Sequence, residues 1–189
     1  MIIGLTGKNA SGKGEVAAYL KTKGFIYYSL SDELREEAAK RNIEHSRENL
    51  ISLGNELREQ NGPECLAKKI NEKIRNKKKD NGKNFVVDSV RNPFEAKELL
   101  KNRDFLLIGI DAPIGLRFQR LVERNRVGDA KTIEELKKQE NMENTKNETS
   151  QQLNETFKLA GKTVINNGSL ENLHKKIDEL LEELSKVKF

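Results

Sequence analysis

The sequence predicts an α/β fold, a five-stranded parallel sheet with helices on both faces, and three observations predict it. Short apolar runs alternate with longer amphipathic stretches from end to end, the order that builds strand–helix–strand units. These runs are continuous rather than alternating, as in strands covered on both faces. A glycine-rich turn follows the first run directly and opens a helix, and a parallel sheet presents its site at such strand ends.

Met1–Leu5 is apolar and ended by glycines, which reads as a buried strand. A helix carrying Val16 and Leu20 runs to Lys23 and is closed by Gly24. Phe25–Leu30 is the second strand; Ser29 or Ser31 can cap the next helix, where Glu33, Glu36 and Glu37 suit its positive end. Helical patterns follow over Glu48–Glu59 and Pro63–Lys78, with Pro63 at a helix start. The polar run Asn76–Lys83, including a solvated loop at Lys77–Lys79, precedes the strand Phe85–Asp88. A helix over Phe94–Lys101 leads to the fourth strand, Phe105–Ile110. Helices over Ile114–Arg126 and Ile133–Asn141 flank Val127–Lys131. Gln151–Leu159 is helical, Thr163–Ile165 is the fifth strand, and Leu170–Val187 is a closing amphipathic helix.

The 189 residues fit one domain, 1–189, with an acceptor-binding helical segment near 32–80 and a lid near 113–147. At 35% apolar residues the chain is too hydrophobic for disorder. Its longest apolar run, Phe105–Ile110, is far short of a membrane span, and no signal peptide is expected. The expected setting is cytoplasmic, without a membrane. One cysteine, Cys65, excludes an internal disulfide, and it reads as a small apolar helix residue. Two histidines leave no Cys/His zinc site. The net charge of +5 comes from 24 lysines and 11 arginines against 30 acids, and total charge alone names no partner.

Gly7, Gly12 and Lys13, between a strand and a helix, have P-loop spacing. Glycines let backbone N–H groups turn inward around phosphates, the helix N-terminus adds positive potential, and Lys13 neutralises β/γ oxygens. The candidate ATP-binding residues are Gly7, Lys8, Asn9, Ala10, Ser11, Gly12, Lys13, Gly14 and Glu15. Gly14 stands where most P-loops carry a magnesium-binding Ser/Thr, so Mg²⁺ is expected with ATP but without a direct ligand there. Asp32 and Asp88 follow the second and third strands; either can position metal-bound water or accept a proton from an attacking hydroxyl. Asp88, closing three apolar residues, has the Walker B pattern and would hold the metal through water.

The arginines are placed more tellingly than the lysines. Arg35 lies one turn beyond Asp32 and Arg91 three residues beyond Asp88; both are candidate acceptor-binding residues together with Asp88. Arg117, Arg120 and Arg124 share a helix face near Arg126, and guanidinium forks suit phosphate oxygens. The segment Arg117–Asn147 is expected to close over bound nucleotide and exclude water.

Nearly the whole chain resembles P-loop kinases. Ile3–Gly7 with Ser11–Lys13 resembles the opening of dephospho-CoA kinases. Gly12, Lys13 and Gly14 resemble the same stretch of adenylate-type kinases, in which the metal is held through water and nucleotide. Ser31–Arg35 resembles segments of both families, and Asp88–Arg91 resembles the nucleoside monophosphate kinase segment whose arginine holds the acceptor phosphate. Gln119–Gln139 is similar to the dephospho-CoA kinase lid, and Val164–Leu173 to that family's last strand and helix. The latter implies that Asn167 approaches the adenine. The middle segment, Arg47–Arg58, matches neither family closely.

The resemblance implies an ATP-dependent kinase acting on a small nucleotide-like acceptor, with dephospho-CoA first. In that version Lys13, Asp32, Arg120 and Arg124 are catalytic, Asp32 being the base toward a ribose 3′-hydroxyl. In a (deoxy)nucleoside monophosphate kinase no base is needed, and Arg35 and Arg91 would clamp the acceptor phosphate. An ATP-binding regulatory module lacks a reason for an arginine-rich lid. An RNA-associated ATPase has only Lys77–Lys79 and the net charge in its favour, so the positions argue against nucleic acid. The oligomeric state stays open.

Overall fold

The computed structural model describes residues 1–126 and 128–186; Val127, in the expected lid, and Val187, the expected end of the closing helix, lie outside the described residues. The strands are β1 (Ile2–Thr6), β2 (Ile26–Ser29), β3 (Phe85–Asp88), β4 (Phe105–Asp111) and β5 (Lys162–Ile165). The helices are α1 (Lys13–Thr22), α2 (Leu30–Lys40), α3 (Arg47–Asn61), α4 (Cys65–Lys79), α5 (Pro93–Leu99), α6 (Ile114–Arg124), α7 (Ile133–Met142), α8 (Leu153–Lys158) and α9 (Leu170–Lys186). No described helix is long and apolar enough to cross a membrane.

All strand pairs are parallel, in the order β2-β3-β1-β4-β5. The chain builds leftward from β1 and then crosses to its other side, so the end of β1 lies at the switch point where a parallel sheet opens a crevice. Period-two alternation divides the core. Ile2, Phe85, Val87, Phe105 and Leu107 pack with α2–α5, whereas Ile3, Leu5, Val86, Ile108 and Ile110 pack with α1 and α9. A third, much smaller cluster, Leu121, Ala130 and Leu136, joins α6 and α7, which fall in the segment expected to be a lid, and rests on Ala10 of the glycine-rich turn.

Several local expectations are corrected. The edge strands are not fully buried: three residues of β2 are half-buried, and only Val164 of β5 is buried. An edge strand has one neighbour, so its outer side stays open. Lys77–Lys79 form the last turn of α4 rather than a loop, placing cations at the negative helix end. Pro63 precedes α4 by two residues. Ser29 occupies the N-cap of α2 without a side-chain capping bond, and Ser31 lies inside the helix.

Beneath the switch point lies a buried ion pair. Arg58 Nη2 donates to Glu95 Oε1 at 2.9 Å, with the side chains 4% and 0% exposed. The other carboxylate oxygen of Glu95 accepts from the backbone N–H groups of Arg91 and Asn92, and Asn92 caps α5. Asn92 also donates to the carbonyls of Glu148 and Ser150, so one polar knot joins α3, α5 and the segment after α7. Removing one partner strands the other charge in the interior. Arg58→Ala is therefore expected to lower unfolding free energy by about 3–5 kcal/mol. Urea denaturation measures this, and a loss below about 1 kcal/mol, the scale of a surface pair, contradicts it.

Candidate active site

The turn from β1 to α1 is shaped by contacts that exclude side chains. Gly7 has φ +143°, and a Cβ there would stand 2.1 Å from the carbonyl oxygen of Ile110. Gly12 has φ +107° and is the N-cap of α1; a Cβ on it would meet Asn166 Nδ2 at 2.3 Å. Ala10, at φ 58°, completes the turn in the left-handed region.

Lys13 folds back over this turn, donating to the carbonyls of Gly7 at 2.7 Å and Lys8 at 2.9 Å. Desolvation, followed by the nearby Arg91 guanidinium, lowers its pKa to about 8; Asp88 and Glu143 oppose the shift, and Arg124 adds to it.

Three arginines of α6 dock on the same turn. Arg117 reaches the Asn9 carbonyl and is buried against Glu140; Arg120 bridges the carbonyls of Ala10 (3.3 Å) and Asn166 (3.2 Å). Arg124 donates to Asn9 Oδ1 at 3.1 Å and forks onto Asp129. A cleft of about 830 Å³ opens in front. On its walls the structure brings together Asn9, Ala10, Gly12, Lys13, Gly14 and Glu15 with Asp88, Arg91, Arg120, Arg124 and Arg126. Gly7 lies behind, in a smaller cavity; Ser11 is buried, and Lys8 faces Glu140 at 3.4 Å.

Beyond Gly7, Lys8 and Ser11, three more predicted site residues, Asp32, Arg35 and Asn167, do not line the cleft. Asp32 lies in the first turn of α2, half exposed, its carboxylate bound by Arg35 at 2.7 Å, so the two satisfy each other. The Asn167 side chain takes Lys176 Nζ at 3.3 Å, while Asn166 is buried, donates to the Ser11 carbonyl at 2.9 Å and lines the cleft. Two adjacent asparagines after an edge strand give the sequence no means of choosing between them.

Sequence reasoning also missed Ser89, Arg47 and Glu143. Ser89 lines the cleft at φ 65°, its N–H held by Asp88 Oδ1 at 2.6 Å. Arg47, the first residue of α3, is paired with the buried Glu143 at the C-cap of α7, and Arg91 approaches the same carboxylate at 3.7 Å. The available signal was sign: a cation opening a helix and an acid closing one both oppose the helix dipole.

A depressed lysine pKa fixes a pH response. Between about 8 and the ordinary 10.5 the unfolded chain binds more protons at Lys13, so this residue's penalty on stability is full below 8 and is relieved as pH rises. A bound polyphosphate stabilises the ammonium form, so binding near pH 8 takes up a proton. Nucleotide affinity is expected to fall by about tenfold per pH unit above that point. Calorimetry in two buffers of different protonation enthalpy measures the uptake; identical heats with flat affinity across the range would contradict it.

Comparison with known proteins agrees with this architecture. Residues 6–137 match the sequence profile described as an AAA domain. The UPF0200 protein of Pyrococcus abyssi is 35% identical over 187 residues, spanning 97% of both chains. The UPF0200/UPF0201 protein of Archaeoglobus fulgidus is 37% identical over 187 residues; the match covers 98% of this chain but 56% of that relative's length. Among solved structures, TT1252 from Thermus thermophilus superposes with a TM-score of 0.60 at 22% identity, over 97% of each chain. Shikimate kinase from Aquifex aeolicus gives 0.55 at 18%, over 98% of each. Dephospho-CoA kinase from Campylobacter jejuni gives 0.51 at 18%, also over 98% of each. At these identities the likeness is one of fold, that of the P-loop kinases.

Proposed function

The chain belongs to the UPF0200 family, with an AAA domain over residues 6–137, and from that premise we propose that it is an ATP-dependent phosphotransferase acting on a small nucleotide-like acceptor. One observation carries the reading: Lys13 and the arginines 91, 120, 124 and 126 converge on a single open cleft in front of a P-loop. Phosphoryl transfer needs little covalent help from the protein, chiefly positioning and charge neutralisation, and this cleft is built from groups that supply both.

In this reading the backbone N–H groups from Gly7 to Gly14 cradle the ATP phosphates, and Lys13 leaves its own loop carbonyls for the β/γ oxygens. Arg120 and Arg124 lie across the opening, where charge develops on the transferring group. Mg²⁺ would arrive on the nucleotide. A Cβ at Gly14 would meet nothing within 4 Å, so a metal-binding hydroxyl is absent there for reasons other than space. No cluster of three or more His, Cys, Asp or Glu able to hold a metal occurs among the described residues. Asp88, on the cleft wall, is the acid suited to hold the ion through water, and the ion would neutralise phosphate charge.

Two acceptors divide the chemistry. Transfer to the 3′-hydroxyl of dephospho-CoA requires a base, either Asp88 or an Asp32 released from Arg35. Transfer to a nucleoside monophosphate requires none, and the retention of Asp32 by Arg35, with Arg91 beside Lys13, favours this second acceptor.

A panel of dephospho-CoA and ribo- and deoxyribonucleoside monophosphates, with ADP formation as readout, tests the proposal. Lys13→Ala is expected to lower turnover by at least about a hundredfold, the cost of one group that stabilises developing charge, with an unchanged circular dichroism spectrum. Asp32→Asn, assayed on the best acceptor, tests that carboxylate as base: a loss of about 10²–10⁴-fold marks a hydroxyl acceptor, whereas Asp88→Asn is expected to lower turnover on either acceptor through the ion it would hold. No acceptor-dependent ADP formation across the panel would overturn the kinase reading.

A further inference from the structure

Beside Lys13 lies a cavity of about 50 Å³ whose lining includes Gly7, Lys13, Arg47, Arg91 and Glu143. The Glu143 carboxylate is paired with the Arg47 guanidinium and stands 3.7 Å from that of Arg91, with its side chain 5% exposed. Three cations thus surround one internal anion.

The placement of that anion is costly by three measures. Glu143 is the C-cap of α7, where the helix presents its negative end. Its burial removes a carboxylate from water, which only the two arginines offset. Arg47, its main partner, is the first residue of α3, where the helix presents its positive end. Neither charge suits its own helix, and neither position is explained by local stability. Each is explained if the pair of arginines exists to hold an anion and Glu143 fills the place when that anion is missing.

We propose that Arg47 and Arg91 form a binding site for the phosphate of the second substrate, that Glu143 is its internal occupant, and that substrate phosphate displaces Glu143 and so releases the end of α7. The proposal rests on the phosphotransferase reading and adds to it the anionic class of the acceptor group and the coupling of its binding to the lid. Position supports displacement over addition: the Glu143 carboxylate already occupies the Arg47 guanidinium and stands 3.7 Å from that of Arg91, so a phosphate that engages both arginines takes its place. A bidentate guanidinium pair prefers a phosphate dianion to a single carboxylate, since more charge-assisted hydrogen bonds form on the same donors. Displacement would act on the lid directly, because the Glu143 carbonyl accepts from Leu153 N at 3.2 Å and its N–H donates to Gln139 at 3.2 Å.

Inorganic phosphate is the probe, titrated calorimetrically into the full chain with the P-loop filled by a non-hydrolysable ATP analogue and Mg²⁺. Glu143→Gln, which keeps the shape and removes the competing charge, is expected to bind phosphate about tenfold more tightly than wild type, the scale of one charge-assisted hydrogen bond. Arg47→Ala is expected to bind at least about tenfold more weakly. In the unmodified protein, phosphate should raise amide hydrogen exchange over residues 139–147, a readout that needs no variant to fold. Equal or weaker phosphate binding by Glu143→Gln, or unchanged exchange over that segment, would overturn the proposal. If the analogue does not bind, the kinase reading falls separately. The Arg47→Ala loss, measured without it, would still uphold the anion site, because Arg47 lines the small cavity and not the large cleft, and equal binding by that variant would overturn it.

Discussion

Gly7, where an added Cβ would stand 2.1 Å from the carbonyl oxygen of Ile110, joins the glycine-rich turn to β4 and fixes where everything else must stand. With β1 between β3 and β4, any side chain at position 7 would push the turn away from the sheet. The turn would then lose its register with Asn166, which follows the neighbouring strand and holds the Ser11 carbonyl. Backbone conformation, sheet order and one buried carboxamide thus act as a single constraint. Parallel pairing is what allows it, since β1, β3, β4 and β5 all end on the same side and deliver Gly7, Asp88, Asp111 and Asn166 to one edge.

A turn shaped for phosphate has a problem when it is empty: inward N–H groups and a ring of cations repel one another. The protein meets this with its own carboxylates. Glu140 takes Arg117 and Lys8, Glu143 takes Arg47 and lies near Arg91, and Asp129 takes Arg124. Lys13 has no carboxylate bonded to it among the described residues and settles on the carbonyls of its own loop, while burial, and then the Arg91 guanidinium, lowers its pKa. Two of these acids, Glu140 and Glu143, lie one turn apart at the end of α7. A single helix terminus therefore neutralises two sides of the P-loop.

How far the sequence could be read follows from the distance over which each feature is determined. The P-loop was legible because its residues are contiguous and their spacing is set by the ring of N–H groups. The strands were legible from their apolar runs, and Arg117, Arg120 and Arg124 from helical periodicity, because period and composition are local. The partial exposure of β2 and β5 was not, since whether a strand has one neighbour or two depends on the order of the whole sheet. Asp32 and Asp88 both follow strands, Asp88 alone with the Walker B pattern; only tertiary packing turns Asp32 onto Arg35 and leaves Asp88 on the cleft wall. Asn166 against Asn167 turned on one residue of register. Arg47 and Glu143 lie 96 positions apart and meet only through the fold. Their mark in the sequence, a charge of the wrong sign at each helix end, becomes meaningful once the two ends face each other.

In the segment proposed as a lid, such charges would control movement rather than merely decorate a surface. Its apolar core among the described residues is small, Leu121, Ala130 and Leu136, with Ala10, Ile114 and Phe118 packed around it. The two main clusters, which hold the sheet to its covering helices, are several times larger. At about 25 cal/mol per Å² of apolar area, a cluster of that size leaves α6 and α7 only modestly attached by burial alone. What remains is polar: Arg117 on Glu140, Arg120 on two carbonyls, and Arg124 on Asn9 and Asp129. Each of these bonds uses a cation that a phosphate also attracts. In the proposed phosphotransferase, a phosphate arriving in the cleft would compete for the same groups that fasten α6 and α7, so occupancy and the position of these helices would be linked through shared bonds, without any further hinge or spring.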